Sequence, residues 1–382
     1  MLNYGDQILI DPSQPIKLRS ARAWRTYLGG KLLNQLVGRP DTTDDHFPEE
    51  WIISVVSARN AGREPVKDEG MSKLELADAE ITLKEVIDRN PVDFLGPKHA
   101  ARFQNQTGVL VKLIDAAERL TIQVHPDKLA ARKLFDSEFG KTECWHILGG
   151  RTVNGNPPCI YLGFQQGVTR AQWEKLFHAQ DYQGMLNCMH RYTVGAGETY
   201  LIEGGIPHAI GAGCFLVEIQ EPTDYTIRVE QTTPSGFQVD DFMCHQGLGF
   251  DKMFDCFTYG GFTKEETYEK WNIKPVLIQQ SAGGKETELV GYQDTSCFKM
   301  NLLEVNDVMQ TDNHDVFSGL FALAGAATIT VNGMQQTIKQ GEQFFVPAKV
   351  RELTLQNAGK ETFKAVRCFG PDVGSPVRRQ GG

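Results

Sequence analysis

The sequence predicts a mainly β protein: two related jelly-roll domains, the first carrying a helical insert. Three observations lead there. Between Glu198 and Val229, short apolar runs alternate with Gly and Pro turns, the spacing of a sandwich or barrel. From about residue 273 onward the texture is β throughout. Gly197-Glu198-Thr199-Tyr200-Leu201 also has a counterpart in Gly341-Glu342-Gln343-Phe344-Phe345, each a polar turn leading into an apolar strand. At 382 residues the chain is too long for one ordinary core, so the division is drawn as 1–272 and 273–382.

Taken in order, Trp51–Val56 is the first clear strand, preceded by a polar loop from Val37 to Asp45. The charged stretch Ser57–Gly70 reads as a loop that could border a site. A helical insert is expected over about 72–106. There Thr82 and Glu85 form a capping box, Leu83, Val86 and Ile87 follow helical spacing, and Asn90-Pro91 ends the helix. Strands are expected at Val109–Asp115, Thr121–His125, Glu143–Leu148 and Cys159–Phe164, with Asp127 capping a short helix through Phe135. Thr169 and Gln172 form a second capping-box pattern opening a helix that buries Trp173, Leu176 and Phe177. A further short helix lies around Met185–Met189. Strands resume at Glu198–Ile202, Ala209-Ile210, Cys214–Gln220 and Tyr225–Val229, and residues 234–270 are mixed. In the last third, strands are expected at Phe298–Val305, Val316–Ala324, Ala327–Val331, Gln336–Ile338, Gln343–Val346 and Glu352–Leu355. Asn332-Gly333 reads as a type I′ hairpin turn. The Gly/Pro/Arg-rich tail after Phe369 reads as loose.

Composition narrows the function. A net charge of -9 argues against general binding to nucleic acid or to a membrane surface, while leaving room for a local basic pocket. No apolar run is long enough to span a membrane, and the N-terminus lacks a charged-then-apolar signal pattern, so a cytoplasmic location is expected. The eight cysteines show no metal-finger spacing and read as buried free thiols.

The chemistry concentrates in three short stretches. In Thr121-Ile122-Gln123-Val124-His125-Pro126-Asp127, Gln123 and His125 are two apart and share a strand face. In Lys141-Thr142-Glu143-Cys144-Trp145-His146, Lys141 and Glu143 do the same, while Cys144 and His146 alternate away. A third stretch, Gly204-Gly205-Ile206-Pro207-His208, adds one more histidine. Two imidazoles, a carboxylate and an amide oxygen suit Zn²⁺, with Fe²⁺, Co²⁺ or Mn²⁺ compatible. Lys112 sits in the apolar run Val109–Asp115 and faces either a polar cavity or solvent. Glu218 and Asp224 are the carboxylates of the stretch that Arg228 ends.

These stretches resemble the type I phosphomannose isomerase family of the cupin superfamily. The similarity rests on Gln123-Val124-His125-Pro126, Gly140-Lys141-Thr142-Glu143-Cys144-Trp145 and Pro207-His208-Ala209-Ile210-Gly211. Upstream Val109–Ala116, downstream Glu218, Asp224 and Arg228, and Glu49-Glu50-Trp51 fit the same pattern. The resemblance covers most of residues 15–230; the C-terminal part matches in texture only. It implies cupin-type barrels and one zinc per chain on Gln123, His125, Glu143 and His208. It implies a sugar-phosphate substrate, with mannose 6-phosphate and fructose 6-phosphate interconverted through an enediol. Lys112, Lys141 and Arg228 are then substrate-binding, and Arg228, Lys141 and Glu218 catalytic. Arginine does not readily give up a proton, so Arg228 is expected to stabilise charge. The base stays open between Lys141, Glu218 and a metal-bound water. Where the family has a proline before the last ligand, this chain has Glu203, which is expected to face solvent. The C-terminal domain offers no histidine after Gly341–Pro347 and is expected to lack a metal. A monomer or homodimer is expected. The competing classes are a non-catalytic sugar-phosphate-binding cupin and a metal-cupin oxidoreductase, the latter poorly served by a glutamine ligand.

Overall fold

The computed structural model describes residues 3–4, 7–40, 42–60 and 62–374. A short ribbon pairs β1 (Asn3–Tyr4) with β2 (Gln7–Ile8). There follow β3 (Ile16–Leu18), β4 (Arg22–Ala23), β5 (Glu49–Ile52), β6 (Leu110–Asp115), β7 (Gln123–Val124), β8 (Glu143–Gly150) and β9 (Cys159–Phe164). Then come β10 (Met189–Thr193), β11 (Thr199–Ile202), β12 (His208–Ile210), β13 (Cys214–Gln220), β14 (Ile227–Arg228) and β15 (Asn272–Ile273). The last third holds β16 (Val276–Ser281), β17 (Gly284–Val290), β18 (Lys299–Val305), β19 (Val308–Asp312) and β20 (Ser318–Ala324). It ends with β21 (Ala326–Val331), β22 (Met334–Lys339), β23 (Gln343–Val346), β24 (Glu352–Asn357) and β25 (Phe363–Phe369).

Two barrels with matching strand order result. The first has a large sheet β15-β11-β8-β13-β6-β5-β4 and a small sheet β10-β9-β12-β7-β14. In the second, the large sheet is β3-β23-β20-β25-β18-β17-β16 and the small one β22-β21-β24-β19. The large sheets correspond strand for strand around their centres, β8 with β20 and β13 with β25. The division at 272/273 is not clean in space: β3, from the start of the chain, edges the second barrel's large sheet.

Strand alternation explains the packing. Inward residues such as Trp145, Ile147 and Leu216 fill the first barrel, and Leu303, Leu320, Ile329 and Phe344 fill the second. The outer faces of the two large sheets are apolar as well. Val111, Leu113, Cys144, Val217 and Ile219 of one meet Phe298, Met300, Phe321, Val366 and Cys368 of the other in one shared core. Leu83, Val86, Ile87, Phe94 and Leu95 of the insert close that core. The insert is three short helices, Leu83–Arg89, Pro91–Leu95 and Pro97–Phe103, and the first starts with the expected capping box on Thr82 and Glu85.

Several expected elements shift. The strand expected at Trp51–Val56 is Glu49–Ile52, because Ile53 turns the chain with a left-handed φ of 45°. Thr121–His125 and Tyr225–Val229 shrink to Gln123–Val124 and Ile227–Arg228, the parts that pair with neighbours. At Thr169 only half of the capping box forms: Thr169 accepts from the Gln172 N–H, while the Gln172 amide turns to Cys188 Sγ at 3.6 Å. Leu176 there is only partly buried. Strands β1 to β4, β10, β15, β16, β17, β19 and β25 lie outside the expected set. Asn332 and Gly333 both have positive φ, and Val331 pairs with Met334, which is the two-residue hairpin expected. Of the tail expected to be loose, 370–374 is anchored by bonds to its carbonyls from Tyr292, Arg102 and Lys98; residues 375–382 lie outside the described residues. All eight cysteines are buried and free. No helix among the described residues is long and apolar enough to cross a membrane.

Candidate metal centre and pocket

The end of the first barrel is assembled from three loops held together by backbone hydrogen bonds. Lys141 N–H donates to Pro126 C=O at 3.0 Å, and Gly205 N–H to His125 C=O at 2.7 Å. Gly204 allows that approach, since a Cβ there would lie 2.5 Å from Asp127 Cα. Buried Glu230 pins the strand carrying Gln123 by accepting from Ile122 N–H at 2.6 Å and from Arg119.

His125, Glu143 and His208 converge there, with one ligand atom from each lying within 4.8 Å of the others. His125 Nε2 is 3.0 Å from Glu143 Oε1 and 3.2 Å from His208 Nε2; His208 Nε2 is 3.7 Å from Glu143 Oε2. Each imidazole engages a backbone carbonyl through Nδ1, His125 with Tyr225 O at 3.0 Å and His208 with Ile206 O at 2.8 Å. With those nitrogens protonated, both Nε2 lone pairs aim into the shared space. Burial, reinforced by the Lys141 ammonium, pushes the His125 pKa down to about 3, and burial lowers His208 also, so both rings are neutral ligands at pH 7. Burial opposes charge on Glu143, but Lys141 and His125 outweigh it and keep the carboxylate ionised. Its Oε1 is ion-paired with Lys141, while its buried Oε2 accepts no hydrogen bond from the described residues. Two neutral imidazole lone pairs and a buried carboxylate facing one another fit a divalent metal.

Gln123 lies beside this set by register, paired with His208 on one side and Arg228 on the other. Lys141 Nζ is 2.9 Å from Glu143 Oε1 and 3.1 Å from His125 Nε2. Lys112 faces the cavity: its Nζ is 3.0 Å from Glu218 Oε1 and 3.9 Å from Glu49 Oε2. Glu218 Oε2 accepts from Trp145 Nε1 at 3.1 Å, and that indole stands edge-on to His208 at 5.4 Å. Burial, then the charge of Glu143, raises the Glu218 pKa, partly offset by Lys112. Arg228 donates to the carbonyls of Met243 at 2.9 Å and Thr226 at 3.2 Å. All eight sequence-derived residues therefore belong to one constellation: six line the cavity and His125 and His208 lie immediately behind it. Cys144 and His146 do point away, the former into the core between barrels and the latter to Thr199 Oγ1 at 2.9 Å. Glu203 is half-exposed, yet its carboxylate accepts from Trp271 Nε1 at 2.9 Å, so it fastens the helix Lys264–Trp271 as well as facing solvent.

Arg25, Tyr27 and Asn60 also line the pocket, though no motif in the sequence assigns them to it. Arg25 Nε donates to Glu49 Oε2 at 2.9 Å, and Tyr27 OH to Glu49 Oε1 at 2.7 Å. The Trp51 ring lies beneath Arg25 at 5.0 Å and Lys112 at 5.4 Å. Burial disfavours the Glu49 charge, but Arg25, Lys112 and Trp51 hold its pKa down at about 2. The usable signal is an arginine, a tyrosine and a carboxylate-X-tryptophan pattern close to one another in sequence. The inner cavity measures about 40 Å³, and Asn60, Asp224, Arg228 and Met243 connect it to an outer cavity of about 430 Å³ bordered by the 57–68 loop. A ligand of sugar-phosphate size needs both, since small-molecule pockets run to several hundred Å³.

Comparison with known proteins agrees with this geometry. Residues 68–141 match the catalytic domain of type I phosphomannose isomerase, and residues 288–362 match the cupin domain of mannose-6-phosphate isomerase. The mannose-6-phosphate isomerase of Streptococcus mutans is 26% identical over 269 residues, covering 68% of this chain and 76% of that protein. The ManA isomerase of Bacillus subtilis is 29% identical over 125 residues, 32% of this chain and 36% of its own. In fold, the crystal structure of a Bacillus subtilis mannose 6-phosphate isomerase matches with a TM-score of 0.69 at 20% identity, over 93% of this chain and 99% of that one. The Salmonella typhimurium enzyme matches with a TM-score of 0.69 at 15% identity, over 94% of this chain and 99% of its own. Two family models matched in order along the chain, relatives covering two thirds of it and solved structures with the same pair of barrels all show similarity to one family, type I phosphomannose isomerase.

Proposed function

We propose that the protein interconverts mannose 6-phosphate and fructose 6-phosphate, using one zinc ion held by Gln123, His125, Glu143 and His208. The carrying observation is the convergence of two neutral imidazoles and a buried carboxylate at the base of a highly charged pocket. Arg25, Lys112, Lys141 and Arg228 there face Glu49, Glu143, Glu218 and Asp224, four cations against four anions. A divalent ion would leave that balance positive by the charge that a phosphate dianion brings.

The reaction moves a proton between C1 and C2 of the sugar through an enediol. When bound, zinc would stabilise negative charge developing on the sugar oxygens. Lys141, beside the ligand set, and Glu218, with its raised pKa, are the groups placed to carry the proton. Lys112 holds Glu218 in position at 3.0 Å and adds positive charge beneath the substrate. Arg228 stands where the inner and outer cavities join, suited to binding the substrate and stabilising anionic charge. The test is a coupled assay for fructose 6-phosphate made from mannose 6-phosphate by the zinc-loaded protein. Turnover is expected; tight binding of the sugar phosphate without turnover would instead mean a binding cupin.

A further inference from the structure

One side chain of the second barrel reaches into the foundations of the first. Gln343, on β23, is fully buried. Its Oε1 accepts from Ile53 N–H at 3.0 Å. Its Nε2 lies 3.3 Å from Trp51 O, 3.3 Å from Arg19 O and 3.4 Å from Glu50 Oε1. Only this amide orientation meets both kinds of partner, an N–H on one side and carbonyls on the other.

The residue it grips is unusual. Ile53 has φ 45°, in the left-handed region where a β-branched residue is an outlier and costs free energy unless its surroundings impose it. The surroundings do so from the second barrel. Besides the Gln343 bond, the Ile53 side chain lies flat on Gly319, where a Cβ would come within 2.8 Å of Ile53 Cδ1. This turn ends β5 and launches the loop that borders the outer cavity. Two residues before it, Trp51 donates its indole N–H to Glu49 Oε2 at 2.7 Å and carries Arg25 and Lys112 on its ring.

We propose that Gln343 is a positioning residue: from the second barrel it fixes the turn at Ile53, and so sets Trp51 and Glu49 under the cations of the first barrel's pocket. The consequence for turnover rests on the proposed isomerase function; the consequence for Trp51 does not.

The experiment follows Gln343→Ala and Gln343→Glu by two readouts. The first is the ¹⁵N–¹H indole spectrum. The Trp51 resonance is expected to shift in both variants, while those of Trp173 and Trp271, far from β5, stay in place. The second is kcat per bound zinc. Misplacing the pocket floor is expected to lower it about tenfold or more in Gln343→Ala, with zinc content unchanged. Gln343→Glu keeps an acceptor for Ile53 N–H but turns an oxygen toward Glu50 Oε1 and the carbonyls of Arg19 and Trp51, so it should lose at least as much. Gly333→Ala, in the hairpin turn between β21 and β22, is the control and should lower Tm without lowering kcat. A Trp51 resonance that stays put overturns the proposal, whatever the activity. So does one that moves while an active enzyme keeps its kcat per bound zinc. A wild-type protein that binds zinc but makes no fructose 6-phosphate would refute the isomerase reading instead, and the Trp51 shift would still decide this one.

Discussion

The two barrels share a strand order and differ in what occupies the same end of each. In the first, Glu143 opens β8 opposite Gln220 of β13, and two residues back along β13 Glu218 pairs with Lys112 of β6. In the second, Ser318 opens β20 opposite Phe369 of β25, and two residues back Arg367 pairs with Asn301 of β18. Fully buried Arg367 donates to Ser318 Oγ at 3.1 Å, Thr311 Oγ1 at 2.8 Å, Asp312 O at 3.1 Å and Asn313 Oδ1 at 2.7 Å. The same scaffold thus holds its buried positive charge in two ways. Where the barrel end presents imidazole and carboxylate acceptors, it suits a separate ion and keeps a cavity. Where it presents hydroxyl, amide and carbonyl acceptors around a guanidinium, the charge is covalently attached and the space is filled. We therefore propose that the second barrel holds no metal and works as a support.

The largest expected effect breaks this difference from the first side. His208→Ala removes an imidazole ligand and should abolish stoichiometric zinc. Losing several kcal/mol of charge stabilisation means a fall of about a thousandfold or more in kcat/KM. From the second side, Arg367→Leu strands the acceptors of a buried cation. It should cost about 3–5 kcal/mol in urea unfolding, with zinc content by elemental analysis unchanged. Zinc loss there as well would mean the barrels are not separable in this way.

Acid sharpens the contrast. Glu49 titrates at about 2 when folded, against 4.5 for an ordinary glutamate. A depressed carboxylate adds stability that is complete above its unfolded value and is lost as the pH falls through the folded one. Its contribution, on the order of 3 kcal/mol, should therefore disappear between about pH 4.5 and 2. Glu49→Gln should flatten the stability curve across that window, as measured by urea unfolding at stepped pH.

The smallest effects come from two glycines with positive φ. Gly333, at φ 79°, has no atom within 4 Å of the place a Cβ would take, so Gly333→Ala should cost only the backbone term, about 1 kcal/mol, and spare kcat. Gly70, at φ 81°, would place a Cβ 2.6 Å from Trp51 Cε3. Gly70→Ala should cost more in Tm and also lower kcat/KM.

How much of the fold and site is legible in the sequence depends on whether the signal is local. Strand alternation puts Gln123 with His125, and Lys141 with Glu143, on shared faces, and all four reach the same site, whereas His208 joins them from a separate turn that alternation does not connect. Turn and cap chemistry is equally visible at Thr82, Asp127 and Asn332-Gly333. What escapes depends on long-range pairing. Val276–Ser281 carries little alternation because it is an exposed edge strand, and it becomes a strand by pairing with β17. The run from Trp51 looks like a strand through Val56, yet Gln343, 290 residues away, turns it at Ile53. Arg25 and Glu49 become pocket residues only when β4 and β5 join the sheet beside Lys112.

The most direct test of the account is a zinc titration of chelator-stripped protein, followed by fructose 6-phosphate formation from mannose 6-phosphate. Activity should rise linearly and break at one zinc per chain. No activity at any loading, or a break at two, would contradict it.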